Sequence, residues 1–318
     1  MSKELPILDV EDLNRCFERI TTKIDILHEA FRAMTMDYSH HIENTFGKNH
    51  HIIRLRENID FRLVSSKFHL ELLFRQYYII EREIKEYAKK KPEVIFKQIF
   101  PSHPLFDNYE KQITSIFDSI VFHLSSIFDY LSAIVNYIIN NKDESITKWS
   151  QLNNSCRQKT EFNNKEVSKC VIEKHNSFVN KLYEHRTRLI HEKSDIHPSA
   201  LKIELNSGKI DLRFFARKEL TKKFSYLRKK TKDNRLTISF VSEWLIETTI
   251  DSIIDILRSI SSDMKSVSRF PENIGMTEWT MLYRNPETGI GEPVSDHMWR
   301  EIEKKITAAN KGNRCTSL

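Results

Sequence analysis

Arg186 and His191 stand five positions apart in the run His185-Arg186-Thr187-Arg188-Leu189-Ile190-His191-Glu192. Arg186 is the only arginine in the chain with a histidine five places on. A guanidinium grips a phosphate bidentately and stabilises charge that builds on it. An imidazole ionises near neutral pH, so it can take up or deliver a proton at the same centre. A second stretch has chemistry of a different kind. Between Arg217 and Arg235 nine basic residues face two acidic ones, Glu219 and Asp233. That segment is +7 in a chain whose net charge is +6, so the remainder is close to neutral. Lys222, Lys223, Arg228, Lys229 and Lys230, with Phe224, Tyr226 and Leu227 among them, form an electrostatic footprint for an anionic partner, nucleic acid first. A merely solvated charged face accounts for the same run equally well.

The motif needs a helix to hold it. Val171, Phe178, Leu182 and Leu189 mark the apolar side of a helix over 164–193, which ends before Ile196-His197-Pro198. Glu184, Thr187, His191 and Asp195 form a polar line that avoids the Leu182/Leu189 side, so His191 is expected to face water or a polar cleft. On one helix Arg186 and His191 lie about 140° apart, so they flank a face and a shared site needs help from Arg186 reaching round or from another chain. Ile113, Ile116, Phe117, Ile120, Leu124, Ile127, Phe128, Leu131, Ile134, Val135 and Ile138 give the strongest helical pattern of all, ended by Asn140-Asn141. Asp129 lies at the edge of its apolar face, where a carboxylate is either paired, functional or solvated.

Further helices are expected over 9–46 and 53–89, from Phe240 to Ser268, and near 295–309. Dense aromatics in the second of these (Phe61, Phe68, Phe74, Tyr77, Tyr78) are read as core packing. Residues 146–165 read as a polar connection around Trp149. Alternation of Leu201, Ile203 and Leu205, then Ile210, Leu212 and Phe214, around Asn206-Ser207-Gly208 predicts a β-hairpin near 201–216. Lys89-Lys90-Lys91-Pro92 and Pro101-Ser102-His103-Pro104 mark the best boundary. The chain thus divides into an N-terminal helical region, 1–105, a helical domain with the hairpin, 106–268, and an irregular tail, 269–318, with Trp279 and Trp299 available to dock it.

With Gly 6 and Pro 8 in 318 residues, a turn-rich sandwich or barrel is disfavoured and a mainly α fold expected. Cys16, Cys156, Cys170 and Cys315 form no C-x-x-C pair, which fits free thiols in a reducing compartment. The doublets His40-His41 and His50-His51 lack ligands at metal spacing and read as solvated loop histidines. No metal or cofactor is expected. The acidic start of the chain carries no export signal, and 112–139 is interrupted by Asp118, His123 and Asp129. A cytoplasmic protein without a membrane span is therefore expected.

The helix over 112–139 together with Arg186-Thr187-Arg188-Leu189-Ile190-His191 resembles the HEPN superfamily of small helical domains. Its signature is an arginine, four residues, then a histidine near the end of a helix, often supported by a polar residue on an earlier helix. Arg186 and His191 match the signature, and Asp129 best matches the supporting position. The family commonly has Asn, His or Asp after the arginine, where this chain has Thr187. The resemblance covers roughly 110–265 and implies an antiparallel helical bundle. It also implies a metal-independent endoribonuclease, acting as a homodimer, that leaves 2′,3′-cyclic phosphate and 5′-hydroxyl ends. Arg186, His191 and Asp129 would then be catalytic, and Arg188 with the lysines and arginines of 222–230 would bind RNA. Many relatives are toxins or antiviral effectors, so a defence role, with an antitoxin or regulatory partner, is implied. Two other readings stay open: a non-catalytic HEPN-like module that binds RNA, a nucleotide or a protein, and a helical scaffold in which the two residues make ordinary surface pairs.

Overall fold

The computed structural model describes residues 5–10, 12–43, 50–90, 104–158, 161–191, 196–204, 209–267, 282–284, 289 and 291–312. These are mainly helical. In chain order they form β1 (Ile7–Leu8), α1 (Leu13–Tyr38) with a π-helical turn Ser39–Glu43, α2 (His50–Lys90), α3 (Pro104–Ile139), α4 (Trp149–Arg157) and α5 (Glu166–Lys174). A second π-helical turn, His175–Val179, leads into α6 (Asn180–His191). Then come β2 (Ser199–Glu204), β3 (Lys209–Phe214), α7 (Lys218–Thr221), α8 (Ser225–Lys230), β4 (Arg235–Leu236), α9 (Ile238–Ser266), β5 (Leu282–Arg284), β6 (Gly291–Pro293) and α10 (Val294–Gly312). The expected turn Asn206-Ser207-Gly208, the breaks at Lys91-Pro92 and Pro101–His103, Trp279 and Cys315 lie outside the described residues.

Two compact units each draw on three segments. One comprises Met1–Cys16, Arg62–Ser126 and Ser177–Ile246, the other Phe17–Phe61, Ile127–Asn176 and Glu247–Leu318. α1, α2, α3 and α9 each give one part to each unit.

In the first unit α3 is central. Tyr109 of α3 donates to Glu83 of α2, Gln76 donates to Gln112 at 2.7 Å, and the His69 and His123 rings lie 5.1 Å apart. The hairpin pairs antiparallel with Leu201 opposite Leu212 and Ile203 opposite Ile210. Phe214 is fully buried and stacks on Tyr77 of α2 at 5.2 Å. β1 runs parallel to β4. Asp9 fastens that pair through Arg213 at 3.0 Å, Thr237 at 2.6 Å and Ser239.

In the second unit the expected polar connection contains a helix. Trp149, Leu152, Asn153 and Cys156 of α4 are buried at three- and four-residue steps. Its first turn is closed from two sides: the Gln151 side chain accepts the Lys148 N–H, and Asp129 accepts the Trp149 N–H at 3.0 Å. An Asp263 carboxylate does the same for α5, accepting the N–H groups of Glu166 and Val167 at 2.8 Å each. Trp299 of α10 is buried and donates to the buried Asp37 of α1 at 2.9 Å. His51 belongs to a helix rather than a loop; it stacks on Tyr137 and lies 3.5 Å from Glu144.

α3, from Asp107 to Ile139, is the one described helix long and apolar enough to cross a membrane by composition, and most of that stretch is buried inside the protein. In α2 the buried positions are Ile52, Leu55, Ile59, Leu63, Ser66, Leu70, Leu73, Tyr77, Ile80 and Ile84, an unbroken three-four stripe. Core packing therefore fits Tyr77 but not Phe61, Phe68 or Tyr78, which are 62%, 56% and 69% exposed. The aliphatic stripe fills the inward face, and those three rings fall on the other side of the helix. Leu70→Ala should cost about 2–5 kcal/mol, whereas Phe68→Ala should cost less than about 1 kcal/mol, as read by urea denaturation.

Candidate nucleic-acid interface

α6 is amphipathic by a narrow margin. Leu182 and His185 are its buried residues; Arg186, Arg188 and Leu189 are half-buried; Glu184, Thr187, Ile190 and His191 are exposed. The helix is tied to α3 by the Tyr183 hydroxyl, which donates to the Ser125 carbonyl at 3.0 Å. The Arg186 guanidinium lies over the Tyr183 ring, 5.8 Å from its centre. His191 ends the helix on the solvent side, as the polar line of the sequence implies. Asp195, the next member of that line, lies outside the described residues.

Two histidines without a role evident from sequence, His185 and His197, are buried in the same unit. His185 of α6 and His197, in the segment leading to β2, are both fully buried. Their rings lie 6.2 and 5.0 Å from the Phe117 ring of α3. Thr114, one turn earlier on α3, accepts the His197 backbone N–H at 3.1 Å. None of the four ring nitrogens has a hydrogen-bond partner among the described residues. Burial pushes the His185 imidazole down to about 4, helped by the nearby Arg188 and Lys223 charges. His197 falls to about 3, through burial first, then His185, Arg217 and Arg188. The Phe215 carbonyl pulls the other way without reaching hydrogen-bond geometry. Both rings are therefore neutral at pH 7, and Arg188, Arg217 and Lys223 gather around them.

The basic segment is anchored rather than loose. Leu220, Phe224 and Leu227 are buried. Phe224 packs edge-on to Trp244 at 5.1 Å, and Tyr226 stacks on the same indole at 5.6 Å. Phe178 closes the cluster. These anchors leave Lys222, Arg228, Lys229 and Lys230 exposed, with Lys230 over the Tyr226 ring. Lys223 is half-buried and lies 3.3 Å from Glu184 of α6. Arg217 donates to the Ile196 carbonyl at 2.6 Å, which fixes the segment that carries His197. Arg186, Arg188, His191 and the lysines and arginines of 222–230 thus all belong to the first unit, on α6, α7, α8 and the turns beside them.

Asp129 belongs to the second unit, and one of its oxygens is the cap of α4. A different carboxyl stands out in the first unit. Asp118 of α3, one turn from Thr114, has an oxygen shut off from water without a hydrogen bond, and burial raises it to about 7. Sequence gave a hint of it only in its position next to Phe117. Among the described residues no group of three or more His, Cys, Asp or Glu is placed to hold a metal ion. Compared with known proteins, the chain matches no family model, no curated protein and no solved structure.

The buried groups make stability depend on pH with a definite sign. The two imidazoles take protons near pH 6.5 when unfolded but near 4 and 3 when folded, so the unfolded chain binds more protons in between. Their contribution is full above pH 6.5 and is lost on acidification, at up to about 1.4 kcal/mol per pH unit for each ring. Asp118 opposes this, because its folded-state affinity for a proton is raised from 3.8 to about 7. Urea denaturation should show the wild type less stable at pH 5 than at pH 7. Asp118→Asn should gain on the order of 1–3 kcal/mol at pH 8, less at pH 5 and nothing only below about pH 3.8, steepening the slope. A wild type equally stable at both pH values would contradict the buried neutral pair.

Proposed function

We propose that the chain is a metal-independent endoribonuclease of the HEPN type, with its cleavage site on α6. The observation that supports this best is the exposed His191 at the end of a helix that also carries Arg186. In the same unit, the positive charges of Arg188, Arg217 and Lys223 lie near the buried His185 and His197, with Lys223 paired to Glu184. Arg186 would hold the scissile phosphate and stabilise its transition-state charge. His191 would take the 2′-hydroxyl proton or supply one to the leaving 5′-oxygen. The products are a 2′,3′-cyclic phosphate and a 5′-hydroxyl. Lys222, Lys223, Arg228, Lys229 and Lys230 would track neighbouring phosphates.

Arg186 and His191 flank a face of one helix, so a complete site takes the arginine of one copy with the histidine of another, and the active form is a homodimer. Asp129 is left out of the reacting set, since its carboxylate caps α4. A toxin or antiviral effector, held in check by an antitoxin or regulatory protein, fits such an activity. The half-buried setting of Arg186 against Tyr183 favours one second reading, a non-catalytic module that binds RNA on the same surface.

Cleavage of labelled RNA, with analysis of the product ends, separates the two. His191→Ala should abolish cleavage while leaving binding intact, and a chelator should not affect the wild type. Arg186→Ala should lose roughly 100- to 1,000-fold in rate. The triple change Arg228→Ala, Lys229→Ala, Lys230→Ala should weaken binding and lower the slope of log affinity against log salt by about 2. Undiminished cleavage by the His191→Ala protein would remove the nuclease reading. Salt-dependent binding with no cleavage by the wild type would leave the binding module.

A further inference from the structure

The outward face of α2 has a pattern as regular as its buried one. Within the first unit, Val64, Phe68, Glu71, Arg75 and Tyr78 recur at steps of four, three, four and three, on the side opposite Leu63, Leu70, Leu73 and Tyr77. Val64 is 50% exposed, Phe68 56% and Tyr78 69%. Val64, Phe68 and Tyr78, with the charged Glu71 and Arg75 between them, keep the 3.5-residue spacing at which two helices meet along a seam. An ordinary surface helix scatters its apolar residues singly and does not align them. In the middle of the seam Arg75 pairs with Glu71 of the same helix.

We propose that this face of α2 is a self-association surface that takes the same face of a second copy, with the two helices antiparallel. The charges select both the occupant and the direction. A two-fold axis passing near position 73 sets Glu71 of each copy against Arg75 of the other, and Phe68 against Tyr78. One patch thereby meets itself with opposite charges at the centre and aromatic pairs on either side, as an isologous contact requires. A parallel pairing in register would oppose glutamate to glutamate and arginine to arginine, which is repulsive. The contact uses neither Arg186 nor His191, so it stands independently of the cleavage reading.

Sedimentation of the full-length protein over a range of concentrations tests it. The wild type should self-associate, and Phe68→Glu should remove that association step, weakening it at least about tenfold, with an unchanged melting temperature because the site is exposed. Glu71→Arg alone places arginines opposite arginines, and Arg75→Glu alone places glutamates opposite glutamates; each should lose the same association step. Mixing the two variants should restore association as a one-to-one pair, since every contact is then arginine to glutamate. A monomeric wild type at every concentration, association of Phe68→Glu equal to wild type, or a mixture that stays dissociated would each overturn the proposal. So would binding of this face to anionic vesicles without self-association.

Discussion

Two uncharged imidazoles packed against one phenylalanine hold the candidate surface in place. His185 fixes α6 and His197 fixes the segment before the hairpin, and both do so against Phe117 of α3. The arrangement works because burial keeps the rings neutral. A charged imidazole there would sit among Arg188, Arg217 and Lys223 with its own solvation removed. Neutral rings add no further positive charge near those cations. Such a concentration of positive charge, with exposed lysines and arginines continuing along α8, is what a polyanion would meet first.

The aromatic residues do two distinct jobs. Phe178, Phe224, Tyr226 and Trp244 knit the basic segment to α9, which turns a string of lysines and arginines into a surface of fixed shape. On α2 the aliphatic stripe supplies the buried face, while Phe68 and Tyr78 stay more than half exposed. The difference between the two groups lies in what remains for each ring to touch.

Elements whose signal is local were legible in the sequence. The three-four spacing of α3 and α9 and the alternation that gives the hairpin depend only on neighbours along the chain. α4 was not legible: its buried face mixes Trp149 and Leu152 with Asn153, and the carboxylate that closes its first turn comes from a different helix. The α2 core stripe was present in the sequence but masked by the denser aromatic residues on its outward face. At the candidate site, the exposure of His191 followed from the polar line of its helix. His185 could have been read from its spacing, between Leu182 and Leu189 on the apolar side. His197 and Asp118 could not, because only the packing around Phe117 and the burial of one carboxylate oxygen give them their character.

Photochemical cross-linking of the intact protein to RNA that carries 4-thiouridine, with the attachment sites mapped by mass spectrometry, shows where a polyanion docks. Salt-sensitive attachments should fall on α6 and on the Arg217–Arg235 segment, clustered in the first unit. RNA that fails to bind, or that attaches only to residues of the second unit such as those of α4 and α10, would contradict that placement.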